Sequence, residues 1–152
     1  MAATTYANTI WAQVIDPLHD LLVGNFAAVL PIYFDNVTPA KGSEWVVVTP
    51  LEDNEVERTQ KADTRRYTLR LDYFLRTGGA EGRLTQLLCK RVEQIKHLLF
   101  VSGDHDATGA AYYWHDGVVQ SVNYEATTDE DKAAGFRRVT ITWACTSTEI
   151  YA

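Results

Sequence analysis

Cysteine is scarce in this 152-residue chain, with Cys89 and Cys145 the only two. Two thiols cannot build the multi-bridge frame of a small secreted domain, nor a metal knuckle by themselves, and the count fits a reducing cytoplasm. Long apolar runs are also missing. No stretch approaches the about 18 residues that a membrane-spanning helix needs. The N-terminal MAATTYANTI lacks the basic-then-apolar order of a secretion signal. Net positive charge is absent as well: 14 Lys and Arg face 20 Asp and Glu, a formal net charge of −6. The basic footprint of a duplex-binding domain is therefore not expected. Against these absences stand 46% hydrophobic and 11% aromatic residues. A solvating, disordered chain does not carry that load, so a packed globule is expected. At this length one domain suffices, and it can hide about 70% of the surface its unfolded chain exposes.

The charge is unevenly spread. Residues 1–57 carry a net −7, residues 58–91 a net +6 and residues 92–152 a net −5. One reading is ordinary solvated surface. The sharper one is a body with a basic and an acidic face, suited to packing head-to-tail against copies of itself.

Periodicity supplies the elements. Tyr6, Ile10, Trp11, Val14, Ile15, Leu18, Leu21 and Leu22 recur at spacings of three and four, an amphipathic helix that Asp16-Pro17 should kink or split and Gly24-Asn25 should stop. Pro31 to Asn36 reads as a short strand. Trp45-Val46-Val47-Val48 reads as a strand covered on both faces, with Pro50 ending it or marking a bulge at an edge. Residues 52–59 are polar, a hairpin arm or a loop. In RRYTLRLDYFLR, Tyr67, Leu69, Leu71, Tyr73 and Leu75 alternate with Arg66, Thr68, Arg70, Asp72, Phe74 and Arg76, which puts the first set on the core and the second on a mostly charged face. Leu84, Leu87, Leu88, Val92, Ile95, Leu98 and Leu99 form one stripe of a second helix. Asp116-Gly117 between extended segments signals a hairpin. Residues 126–135 read as a polar loop. A last strand alternates Val139, Ile141, Trp143 and Cys145 with polar residues. The expected fold is a single α+β domain: a mainly antiparallel sheet with two helices packed on one face.

Chemistry-bearing groups are few. There is no H-E-x-x-H, no G-x-S-x-G, no G-K-[ST] and no G-x-G-x-x-G. Asp104-His105-Asp106 with His115-Asp116 nearby could hold a divalent ion. Asp and Gly in such a loop are equally explained by turn chemistry, and that reading is preferred. Thr77 to Arg83 reads as a strand-to-helix turn, Cys89 and Cys145 as buried small hydrophobes, and Glu52, Asp53, Glu55 and Glu57 as solvated surface. No catalytic, cofactor-binding or metal-ligating residue is assigned. Arg66, Arg70 and Arg76 share one side of the long strand behind Arg58, Lys61 and Arg65. Phe74 alone is interleaved for stacking, so an intersubunit or solvated surface is favoured over nucleic-acid binding.

The order of these elements resembles the tail terminator proteins of long-tailed bacteriophages and phage-like particles. An amphipathic N-terminal helix leads to Pro31-Ile32-Tyr33-Phe34-Asp35-Asn36. A proline-containing loop follows, then the strand Trp45 to Pro50, a polar arm, an Arg-rich strand Arg65 to Gly79, and directly the helix Leu84 to Ile95. The likeness spans most of residues 5–125 and lies in order and spacing. It implies a structural protein without turnover or cofactor. Such a protein forms a ring, commonly a hexamer, at the neck end of the virion tail after assembly in the bacterial host cytoplasm. Its partners would be copies of itself, the tail tube protein and the head–tail connector proteins. DNA would pass through the lumen without sequence-specific binding, which negative charge favours; no membrane is involved. The segments implied to reach neighbours are Glu52 to Lys61, with Glu55, Glu57, Arg58 and Lys61, and Ala126 to Gly135, with Asp129, Glu130 and Asp131. The face of Arg66, Arg70 and Arg76 is implied to meet another subunit or the tube. Two alternatives remain: another neck or tail-completion protein, or a small-molecule enzyme with a pocket between helices and sheet.

Overall fold

The computed structural model describes residues 10–26, 30–34, 43–78, 81–106 and 112–150. The N-terminal stripe forms two pieces, a π-helical turn Ile10–Ile15 and the helix α1 Asp16–Phe26. The change falls at Pro17. Its missing N–H cannot bond back to a carbonyl of the abutting π-helical turn, and the hydrogen-bonding pattern changes beside it. The helix runs two residues past Gly24, and Leu30 N–H then bonds to Phe26 C=O at 2.8 Å. Strand β1 is only Ile32–Tyr33, shorter than expected, and the rest of the expected segment beyond Phe34 lies outside the described residues.

Three 15-residue strands carry the sheet: β2 Glu44–Arg58, β3 Ala62–Arg76 and β6 Phe136–Ile150. Helix α2 Glu81–Val101 follows β3; then come β4 His105–Asp106, β5 Tyr112–Asn123 and the short helix α3 Asp129–Ala133. Sheet order is β1-β2-β3-β6-β5-β4. β1 pairs parallel with β2 and every other pairing is antiparallel. The chain is thus a single α+β domain with a mixed, largely antiparallel sheet and helices packed against it.

The period-two pattern of β3 is observed as read: Tyr67, Leu69, Leu71, Tyr73 and Leu75 are buried in the main core, with Val139, Ile141, Trp143 and Cys145 of β6. Val14, Leu18 and Leu22 of the N-terminal helical pieces and Leu84, Leu88, Val92, Ile95 and Leu99 of α2 close that core from one side. The opposite face is less polar than expected. Trp45, Val47, Phe74 and Phe136 form a second, smaller core there, Trp45 stacking on Phe74 at 5.2 Å. Beside Phe74, Asp72 is buried but satisfied, accepting from Arg70 Nε at 2.8 Å and Thr140 Oγ1 at 2.6 Å.

Three local expectations are corrected. Asp116-Gly117 is not a hairpin turn. It lies inside β5, where the register slips between His115 and Val118, so two residues face one on β6. Asp116 takes φ 52°, and a Cβ on Gly117 would stand 3.0 Å from Trp143 Cζ2 and 3.1 Å from Gly103 O. The dipeptide's tolerance of unusual backbone serves a bulge that lets β5 lie against Trp143. The loop 126–135 contains α3, held by a capping box in which Thr128 and Asp131 serve each other's backbone N–H. Of the two readings of residues 52–59 the hairpin arm is the one observed: the strand runs through Arg58 paired to β3, with a bulge at Pro50 where β2 is an edge. Cys89 is exposed while Cys145 is buried. The former sits about 100° around the helix from Leu88, off the stripe.

Candidate assembly interface

Past Pro50, the outer strand β2 and its turn to Lys61 form an arm paired to β3. β1 covers β2 only at Val46 and Val47, so one edge of the arm has no strand among the described residues. The arm closes at Thr59, whose N–H bonds to Ala62 C=O at 2.8 Å and whose Oγ1 accepts from Ala62 N–H at 3.0 Å. All side chains from Pro50 to Lys61 are exposed, including Leu51 at 48% and Val56 at 58%. Arg65 straps the arm internally: its Nη2 meets Asp53 Oδ1 at 2.6 Å and its Nη1 reaches Asp63 Oδ2 at 3.4 Å. The bond to Asp53 raises the affinity of this guanidinium for its proton. The acidic −7 segment and the basic +6 segment therefore lie on neighbouring strands, and part of the contrast is neutralised within the chain.

The residues expected at an interface separate into two groups. Glu55, Glu57, Arg58 and Lys61 stand on the arm, and Asp129 and Glu130 on the first turn of α3; all six are exposed, and none forms an ion pair among the described residues. The others are engaged within the fold. Arg66 Nη1 donates to Thr146 Oγ1 at 2.9 Å and Asp116 C=O at 3.0 Å. Arg70 pairs with Asp72, and Arg76 lies 5.2 Å from the Phe136 ring. Asp131 is buried and meets Arg138 Nε at 3.0 Å. Burial pushes the Asp131 carboxyl up, but hydrogen bonds from Thr128 and the Arg138 guanidinium outweigh it and hold the group below the usual carboxylate range. Arg138 in turn lies 4.7 Å from the Phe74 ring, tying α3 to the second core.

A cleft of about 600 Å³ opens beside α3, lined by Thr77, Tyr124, Glu125, Thr127, Lys132, Phe136 and Arg137. It lies at the opposite end of the long strands from the arm. Phe136 pairs with Arg76 at one limit of the β3–β6 ladder, and Ala62 pairs with Ile150 at the other. Strand rise puts those ends roughly 45 Å apart. The cleft thus sits at the strand ends, beside α3. The sequence passed over Tyr124, Lys132 and Arg137, although Thr128-x-x-Asp131 carries the helix-start signature that builds this corner.

The histidine and acid constellation is organised by backbone. Asp104 Oδ1 accepts from Asp116 N–H at 3.0 Å, and Gly117 N–H bonds to Gly103 C=O at 2.7 Å. His105 packs 4.6 Å from Trp114. No group of three metal-ligating side chains converges among the described residues. The Cys145 thiol is pushed up to about 12 by burial, which makes it a poor nucleophile.

No family model matches this chain, and no curated protein does either. A solved structure whose name states no activity, ligand or partner is similar over 98% of this chain and 99% of its own, at a TM-score of 0.53 and 13% identity. At that identity the likeness concerns the fold alone.

Proposed function

We propose that the protein is a structural assembly protein of a phage-type tail: it forms a ring that caps the tail tube, stops its polymerisation and offers the joining surface to the head. The observation that carries this reading is the arm, held in place by backbone pairing and internal ion pairs, yet exposed along its whole length with two apolar and several unpaired charged side chains. Rigid presentation of mixed charged and apolar groups suits protein contact, since little ordering entropy is lost on docking. The order of elements, from the N-terminal helix through the arm to the long α2, supports the same reading. Copies of this chain, the tube protein and the connector proteins are the proposed partners, at the neck end of the virion tail, and DNA passes through the lumen without base readout. Another neck component is the neighbouring possibility. The experiment is tube growth in vitro. Added to polymerising tube protein of its particle, this protein should shorten the tubes in proportion to its concentration and sit at one end only in negative-stain images. Tubes of unchanged length with bare ends would remove the capping role.

A further inference from the structure

We infer that the arm of one copy docks into the cleft beside α3 of the next, an inference that rests on the ring reading above. The two surfaces are complementary in both signs. Along the arm, Glu55 and Glu57 precede Arg58 and Lys61. At the cleft, Lys132 and Arg137 line the opening together with Glu125, and Asp129 and Glu130 stand on the adjacent first turn of α3. Acids of the arm can thus meet Lys132 and Arg137, while Arg58 and Lys61 meet the acids around α3. The apolar content matches as well: Leu51 and Val56 are exposed on the arm, and Tyr124, 38% exposed, lines the cleft together with Phe136. Partly exposed charge pairs set register and orientation, and the apolar contacts supply affinity.

Placement favours a second copy over the arm's own chain. Arm and cleft lie at opposite ends of the same strands, so the arm cannot fold back onto its own cleft without dismantling the sheet. A contact between two different patches repeats from copy to copy. It generates a closed ring when the rotation between neighbours closes, and a filament when it does not. Self-pairing of two arms is disfavoured, because Glu52, Asp53, Glu55 and Glu57 of one edge would face the same acids of the other.

A charge exchange tests this. The variants are E55K/E57K on the arm and K132E/R137E at the cleft, with near-ultraviolet circular dichroism confirming that each retains the wild-type fold. Light scattering after size exclusion reads assembly. Each variant alone should associate roughly tenfold or more weakly than the wild type, and the equimolar mixture, in which every arm finds an opposite charge, should regain wild-type size. Assembly unchanged in both variants overturns the docking while leaving the ring reading intact, and unchanged rings that no longer cap tubes assign the arm to the tube protein instead. Variants that stay apart when mixed also overturn it. A wild type that is monomeric at every concentration overturns the ring reading and this inference together.

Discussion

At the scale of single residues, the side chains that differ most from their surroundings are structural. Asp131 is the clearest case, at once the N3 partner of a capping box and the ion partner of Arg138. Its folded proton affinity is lowered, so its contribution to stability is fully present above the unfolded carboxylate pKa of about 4 and is lost as pH falls through the lower folded value. Asp131→Asn should cost about 1–2 kcal/mol at pH 7, leaving Arg138 without its counter-charge. Urea unfolding at one protein concentration should show that gap narrowing toward pH 3; a gap that is constant with pH would mean that the charge contributes nothing. The tyrosines tell a similar story of burial. The Tyr67 hydroxyl is pushed up to about 12 by burial, and Tyr73 is raised further by burial and its bond to the buried Glu44, which Arg91 also holds. These groups join β2, β3 and α2 and leave no free acid or base at that point.

At the scale of elements, legibility followed periodicity. β3, α2 and β6 were readable because each buries one face of a regular repeat, and the residues the repeat selected are buried, save Leu87, which is 40% exposed, and Leu98, partly buried against the core; Asp72, Phe74 and Phe136 are buried on the other face, which the repeat did not announce. Where backbone demands and burial diverge, the reading failed. Asp116-Gly117 carries turn chemistry, but the real connection between β4 and β5 falls earlier, within residues 107–111, outside the described residues. The dipeptide instead relieves the close approach of β5 to Trp143. Gly117→Ala should therefore be destabilising by about 1–3 kcal/mol through overpacking against a fully buried indole. Thermal unfolding with the near-ultraviolet tryptophan signal measures this, and an unchanged melting temperature would show that the bulge has room to spare. The arm could be read only as a hairpin arm or a loop, because its exposed side chains carry no burial pattern; its pairing is a backbone property inherited from β3. α3 was passed over because its five residues have no apolar stripe, and only the capping signature at Thr128 announced it. Of the candidate interface, the arm acids and cations and the α3 acids were legible as unpaired charge. The cleft was not, since its lining comes from four separated segments that only the fold brings together.

At the scale of the whole molecule, the three charge blocks acquire a spatial meaning. The first two alternate across neighbouring strands and partly cancel through Arg65, while uncancelled charges of both signs gather at the two far ends of the sheet. In the proposed docking one end of the monomer is donor and the other acceptor, the arrangement a head-to-tail ring requires. The capping role depends on that self-association. It is tested most directly by sedimentation velocity of the wild-type protein across a wide concentration range, with negative-stain images of the heaviest species. The expected species is a closed ring whose mass is a whole multiple of the 17.1 kDa chain and which dissociates as salt is raised. A single species at 17.1 kDa throughout the range, with no rings in the images, would contradict it.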